Sequence, residues 1–293
     1  DLTVSFSDQR WAARDARDPF TLFRNSDGWR PNPAMDDGNL HILSGTLRFD
    51  TRNETDNPWS GWYITADLEQ GHGTLETLGP ASFFTRSVAP GPTDYTRGFL
   101  DIRRYNSLSP DGQLNLRVVL GGWLSGDPLP LQRRLSVGGP GSLAGYDFRR
   151  VSNGTDVLTC SSADPALPGA TNVAIVGVPA QCDRIAMAQI EFRGDLRFDP
   201  FGMFDDDWRP WRQGYGRGAQ WVIFADAGRG WLVTPADDVT DLTYPKDKLP
   251  KASTFRTDVG IGLVIENVGI YVAKALSGKD QPVNFFVRLK PRI

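Results

Sequence analysis

The stretch Thr257-Asp-Val-Gly-Ile-Gly-Leu-Val-Ile-Glu266 decides the fold. Thr257, Val259, Ile261, Leu263 and Ile265 make one side of it, and Asp258, Gly260, Gly262, Val264 and Glu266 make the other. Successive side chains of a strand point to opposite faces, so this alternation predicts a β-strand with one apolar and one largely polar face. The same period governs 185–196, where Ala186, Ala188, Ile190, Phe192 and Leu196 oppose Gln189, Glu191, Arg193 and Asp195. It returns at 113–122, with Leu114, Leu116, Val118 and Leu120 against Gln113, Asn115 and Arg117, and at 62–69. At the C-terminal end Phe285, Val287 and Leu289 oppose Arg288, Lys290 and Arg292. Weaker versions cover 2–6, 43–50, 96–105, 221–228 and 268–275, giving ten predicted strands. The segment 208–217 is too rich in Gly and Pro for a helix.

Alternation alone fits two architectures. In a soluble sandwich one face meets a dry core and the other meets water. In an outer-membrane barrel the apolar face meets lipid and the polar face lines the lumen. Two features favour the barrel. Connections alternate in length: 8–38, 72–94, 123–184 and 233–254 are long, while 51–59, 106–112 and 266–267 are short, with 197–219 and 277–283 as exceptions. The polar faces also carry charges of both signs (Arg48, Asp50, Asp67, Glu69, Asp101, Arg103, Arg117, Glu191, Arg193, Asp226, Asp258, Glu266), which suits a wet lumen. Trp59, Trp62, Trp123, Trp221 and Trp231 stand near strand ends, as an aromatic belt requires.

The 293 residues carry a formal net charge of −3 and no Lys/Arg-rich block, which argues against nucleic acid as a partner. No apolar run reaches the roughly 18–20 residues of a membrane helix, a test that spanning strands escape. The chain starts at Asp1 without a charged-then-apolar leader, so the expectation is a removed signal peptide or further sequence upstream. Cys160 and Cys182 flank a polar segment; a disulfide there would contribute about 3 kcal/mol in the chain-entropy model and implies an oxidising compartment.

Glycine punctuates one connection: Leu135-Ser-Val-Gly-Gly-Pro-Gly-Ser-Leu-Ala-Gly-Tyr146. Such a run is neither helix nor good strand, and it permits close backbone approach to a wall. Its motif Gly138-Gly139…Ser142-Leu143-Ala144-Gly145-Tyr146 resembles the lumen loop of the bacterial surface antigen family, the BamA/TamA superfamily of outer-membrane assembly barrels. Asp50-Thr-Arg-Asn53 followed by Pro58-Trp-Ser-Gly-Trp62 resembles that family's hairpin. Gln189-Ile-Glu-Phe-Arg193, Phe224-Ala-Asp-Ala-Gly228, 268–276 and 284–293 resemble its later strands. The resemblance runs in order through 38–293, with 1–37 as a first strand and a long loop. It implies an all-β transmembrane antiparallel barrel in the bacterial outer membrane, its Gly-rich loop folded into the lumen, the ten strands forming part of a sixteen-stranded family barrel or a smaller one.

The resemblance also implies roles. Gly138, Gly139, Ser142, Leu143, Gly145 and Tyr146 would form the lumen loop, and Glu191, Arg193, Asp226 and Gly228 its polar partners. The family's loop arginine, implied to pair with the carboxylate matching Asp226, is Ala144 here. Arg193 is the expected substitute cation, with Arg149 and Arg150 as alternatives. Asn284, Phe285, Phe286, Val287, Leu289 and Ile293 would form one side of a seam between first and last strands, Ile293 keeping the outward parity of Phe285. The implied function is insertion or translocation of outer-membrane proteins, with the lipid bilayer, client proteins and accessory envelope proteins as partners; the alternative is a plugged channel or structural barrel.

Catalytic chemistry is not expected. The two histidines, His41 and His72, form no H-x-x-x-H pattern, and no C-x-x-C occurs. Ser142 lacks the flanking glycines of a nucleophile elbow. Gly214, Gly216 and Gly218 match no nucleotide-binding spacing, and Asp205-Asp206-Asp207 reads as a solvated acidic turn. No cofactor and no metal are expected.

Overall fold

The computed structural model describes residues 1–12, 36–75, 91–146, 182–195, 219–231, 233–234, 244–245, 249–265, 268–277, 282–290 and 292–293. Ten strands form one antiparallel sheet: β1 (Leu2–Trp11), β2 (Gly38–Asp50), β3 (Gly61–Leu75), β4 (Gly91–Ser109), β5 (Gly112–Gly126), β6 (Arg184–Asp195), β7 (Gln220–Trp231), β10 (Arg256–Ile265), β11 (Val268–Ala275) and β12 (Val283–Arg288). Each pairs with its neighbour in chain order, an up-and-down arrangement. The short β8 (Val233–Thr234) and β9 (Tyr244–Pro245) pair in parallel as a separate ribbon. The sheet is not closed: among the described residues β1 pairs only with β2 and β12 only with β11.

Register settles which face each residue shares. Ile223 stands opposite Ile261, and Ile261 opposite Val272, which in turn faces Phe285. On the other face, Gln189 stands opposite Asp226 and Asp226 opposite Asp258. The first set is bare: Ile261 is 62% and Phe285 67% exposed, with Leu2, Val4, Phe6, Leu47, Phe49 and Leu68 exposed beside them. The second set is buried, Asp258 and Glu191 completely so. A sandwich would reverse this order by covering Ile261 with a second sheet. The sheet therefore curls around its polar side, as a barrel wall does.

Residues from strands far apart in the sheet meet inside that curl. Gln113 of β5 donates to the carbonyl of Pro58, 2.7 Å away, and Arg193 of β6 donates to Asn57 Oδ1 and to the carbonyl of Ile293. The turn supplying Pro58 is built by the Asp50–Asn53 sequence. Arg52 holds both oxygens of Asp50 at 2.9 and 2.8 Å and stacks over Tyr63. That hydrogen bonding raises the Arg52 guanidinium above its ordinary pKa. Asn53 Oδ1 accepts the backbone N–H groups of Trp59 and Ser60, an Asx-type closure of the turn.

Three expectations need correction. The last strand ends at Arg288, not at residue 293: β11 has only Val268 left beyond the Gly269–Arg288 pair, and the sequence places Pro291, which has no N–H for a ladder, just beyond. Ile293 consequently does not share the outward parity of Phe285; it is 3% exposed, turned inside with Arg292. Of the five belt tryptophans, Trp123 packs inward against Leu40, Ile42, Tyr95 and Leu129, and Trp231 is buried, whereas Trp59 and Trp62 are exposed. Glu266, residues 197–218 and most of the long connections lie outside the described residues.

The outward face makes a direct prediction. Ile261→Lys places a charge midway along the exposed apolar band. We expect it to cost about 2–4 kcal/mol in urea titrations of protein folded into phospholipid vesicles. A soluble protein with Ile261 facing water would lose less than about 0.5 kcal/mol.

Candidate functional site

The glycine-rich connection lies against the polar face. After a short 3-10 turn (Leu131–Arg133), Leu135 bridges to Cys182, and the chain reverses so that Gly138 pairs with Leu143. The reversal needs Gly139, whose φ of +98° disfavours other residues. Its N–H lies 3.2 Å from the Leu143 carbonyl and 2.9 Å from that of Tyr146. Ser142 closes the turn by donating its hydroxyl to the Val137 carbonyl. Leu143 and Tyr146 then enter an apolar cluster with Val119, Val137, Ile185, Met187 and Ala275.

Gly145 is the point of closest approach. Its N–H donates to Asp258 Oδ2 at 2.6 Å, and a Cβ there would come within 2.6 Å of both Ala275 N and Asp258 Cβ. No other residue fits without moving β10 or β11. The Tyr146 hydroxyl lies 3.1 Å from the Thr257 carbonyl and 2.8 Å from that of Ser277, and can donate its single proton to one of them. Four side chains from three strands hold the loop's carbonyls: Arg117 of β5 that of Gly141, Gln189 of β6 that of Ser142, and Asn284 and Arg288 of β12 those of Ala144 and Pro140. At its start Arg133 donates to Gln9 of β1 at 2.7 Å and lies 3.6 Å from Glu69 of β3. The loop thus spans the concave side from one edge strand to the other.

Beneath Ala144 lies a fully buried charge cluster. Arg292 donates from Nη1 and Nη2 to Asp226 Oδ2 at 2.9 and 2.7 Å, while its guanidinium carbon sits 3.8 Å above the Phe224 ring. Its Nε is 3.7 Å from Glu191 Oε2. Arg193 pairs with Glu191, which also receives Asn115 at 3.4 Å. Gln189 donates to Asp226 Oδ1 at 3.1 Å. Both partners of the Arg292–Asp226 pair are wholly out of solvent. A second cluster joins Asp101 to Arg103 and Arg117 at 2.7 and 2.8 Å.

The structure brings most of the sequence-nominated residues into one site. Gly138, Gly139, Ser142, Leu143, Gly145 and Tyr146 form the loop's turn and anchor; Glu191, Arg193 and Asp226 line the cluster below; Gly228 stands between Met187 and Arg256 in the ladder. The expected cation for Asp226 is wrong. Arg193 is committed to Glu191, Asn57 and Ile293, and Arg292 supplies the partner that Ala144 cannot. Arg149 and Arg150 lie outside the described residues. The signal for Arg292 was its polar-face parity with Arg288; its pairing with Asp226 of β7 lies beyond the end of the β12 ladder and leaves no periodic trace. Among the seam residues, Asn284 and Phe286 face inward, Phe286 stacking on Tyr271 at 5.1 Å, while Phe285, Val287 and Leu289 are exposed. Cys182 is disulfide-bonded; its expected partner Cys160 lies outside the described residues.

Comparison with known proteins agrees with this geometry. The Omp85 superfamily domain matches residues 24–267. Among solved structures, BamA from Haemophilus ducreyi lacking POTRA domains 1–3 superposes with a TM-score of 0.51 at 14% identity, over 85% of this chain and 42% of that one. This chain therefore spans about two-fifths of that chain's length. No curated protein matches it.

Removing one member of a buried pair leaves its partner charged and alone, which costs about 3–5 kcal/mol. Arg292→Ala should therefore lower the midpoint of the heat-induced gel-mobility shift strongly. Arg292→Met combined with Asp226→Asn should recover much of the loss, whereas two independent surface effects would simply add.

Proposed function

The chain belongs to the Omp85 superfamily, and from that premise we propose that it is a non-enzymatic outer-membrane barrel that helps insert or translocate other proteins. The observation that carries this reading is the unjoined pair of edge strands. Among the described residues β12 gives its backbone groups to β11 on one side only, and β1 gives its own to β2 on one side only. An edge with free N–H and C=O groups accepts an added strand by β-augmentation. Exposed Phe285 and Val287 on β12, with Val4 and Phe6 on β1, match the apolar outer face of an incoming membrane strand. The lumen loop braces both edges, through Gln9 at β1 and through Asn284 and Arg288 at β12, so the seam's width is set from inside.

A second reading has its own support. The concave side is occupied by the loop, by Asn57 and Pro58 of the turn, and by Arg292 and Ile293, as in a plugged channel or structural barrel. In that case the charged wall selects solutes or closes the pore, and the seam takes no client.

Photocrosslinkers placed singly at Phe285, Val287 and Val4 in the native envelope separate the two. Assembly activity predicts adducts with newly made outer-membrane proteins from the β12 positions, and none from a control on central strand β5 at Val118. Ion conductance in planar bilayers without any client adduct would support the channel instead.

A further inference from the structure

Outside the lumen, the sheet register assembles a row of side chains that neither the loop nor the seam uses. Asp8 of β1 stands opposite His41 of β2, His41 opposite His72 of β3, and His72 opposite Asp94 of β4. These are the chain's two histidines, brought side by side from separate strands. The row has the parity of Phe6 and Leu43, so it lies on the outward face, beyond the apolar band toward the ends of β1–β4 that carry the long connections. All four side chains are more than half exposed.

Each imidazole has a carboxylate beside it. His41 Nδ1 is 3.2 Å from Asp8 Oδ1, and His72 Nδ1 is 3.7 Å from Asp94 Oδ2. A carboxylate beside Nδ1 favours the tautomer with its proton there, which leaves the Nε2 lone pair free. The Phe6 ring lies parallel to His41, with 6.5 Å between ring centroids. Directly opposed strand residues hold their Cβ atoms about 4.5–5.5 Å apart. Two imidazoles on that spacing can bring both Nε2 atoms to one ion at about 2.0–2.1 Å.

We propose that this row binds one divalent ion of the zinc class (Zn²⁺, Cu²⁺ or Ni²⁺) through His41 and His72, with Asp8 and Asp94 as positioning partners. Imidazole ligation selects this class over Mg²⁺ and Ca²⁺, which prefer all-oxygen sites. Among the described residues no three His, Cys or carboxylate groups converge as a ready ligand set, so two imidazoles hold the ion and water completes its shell. The bound ion clips β2 to β3 at the rim. Ion binding at this rim is independent of any assembly activity at the seam.

The test uses the untagged chain folded in detergent, titrated calorimetrically with ZnCl₂ alone and loaded with Cu²⁺ for electron paramagnetic resonance. The expected result is one ion per chain, a tenfold or greater loss of affinity in His41→Ala and in His72→Ala, and a smaller loss in Asp8→Asn. Hyperfine structure should show two coordinating nitrogens in the unaltered chain and one in each single variant. Both histidines are exposed, so the variants should keep the heat-dependent gel shift, and lost binding then reports the site rather than the fold. Three results would overturn the proposal: no binding at micromolar zinc, equal binding by the double histidine variant, or two nitrogens persisting in either single variant.

Discussion

Most strands of this sheet carry hydrocarbon on one side and polar or ionised groups on the other, and the two sides cannot share one surrounding. Burying the charges in apolar space without partners would cost several kcal/mol for each ion. The fold meets that constraint by curling, so that carboxylates and guanidinium groups pair within an enclosed space, along one strand, between neighbours, or with the C-terminal tail. Asp226 with Arg292, Glu191 with Arg193, and Asp101 with Arg103 and Arg117 are the outcome. The hydrocarbon is left outside, where Ile261 and Phe285 remain bare.

The glycine-rich loop depends on the same arrangement. Its main-chain groups enter the enclosed space and must find partners there. Asp258 accepts the N–H of Gly145, while Arg117, Gln189, Asn284 and Arg288 satisfy four of its carbonyls. Because those partners sit on β5, β6, β10 and β12, the loop couples strands that do not touch. Ala144 removes one charge from this scheme, and Arg292 returns it from the far end of the chain. The C-terminal tail is thus part of the lumen's interior rather than the last rung of the wall.

Much of this was legible in the sequence, and the failures have physical causes. All ten strands of the main sheet follow from period-two alternation, because face selection is written residue by residue. The loop was legible because Gly139 and Gly145 are required by a positive φ and by a close approach. Strand ends were less so: β4 runs from Gly91 to Ser109, well past 96–105, since beyond the apolar band the outward residues turn polar and the period fades. Ile293 was misplaced, and the pairing of Arg292 with Asp226 was missed, because parity reports a face only while the ladder continues, and β12 ends at Arg288. The histidine pair was invisible for a related reason: its members are neighbours only through the β2–β3 register.

The fold, the family and the reading of the seam converge on one claim, that lipid covers the outward face while water and protein fill the inward one. Spin labels placed in turn at 258, 259, 260, 261, 262 and 263, in protein folded into phospholipid vesicles, test it most directly. The account predicts collisional relaxation by dissolved oxygen at 259, 261 and 263, with a water-soluble nickel chelate excluded there, and neither pattern at the even positions. Free access of the chelate to 259, 261 and 263 would contradict it.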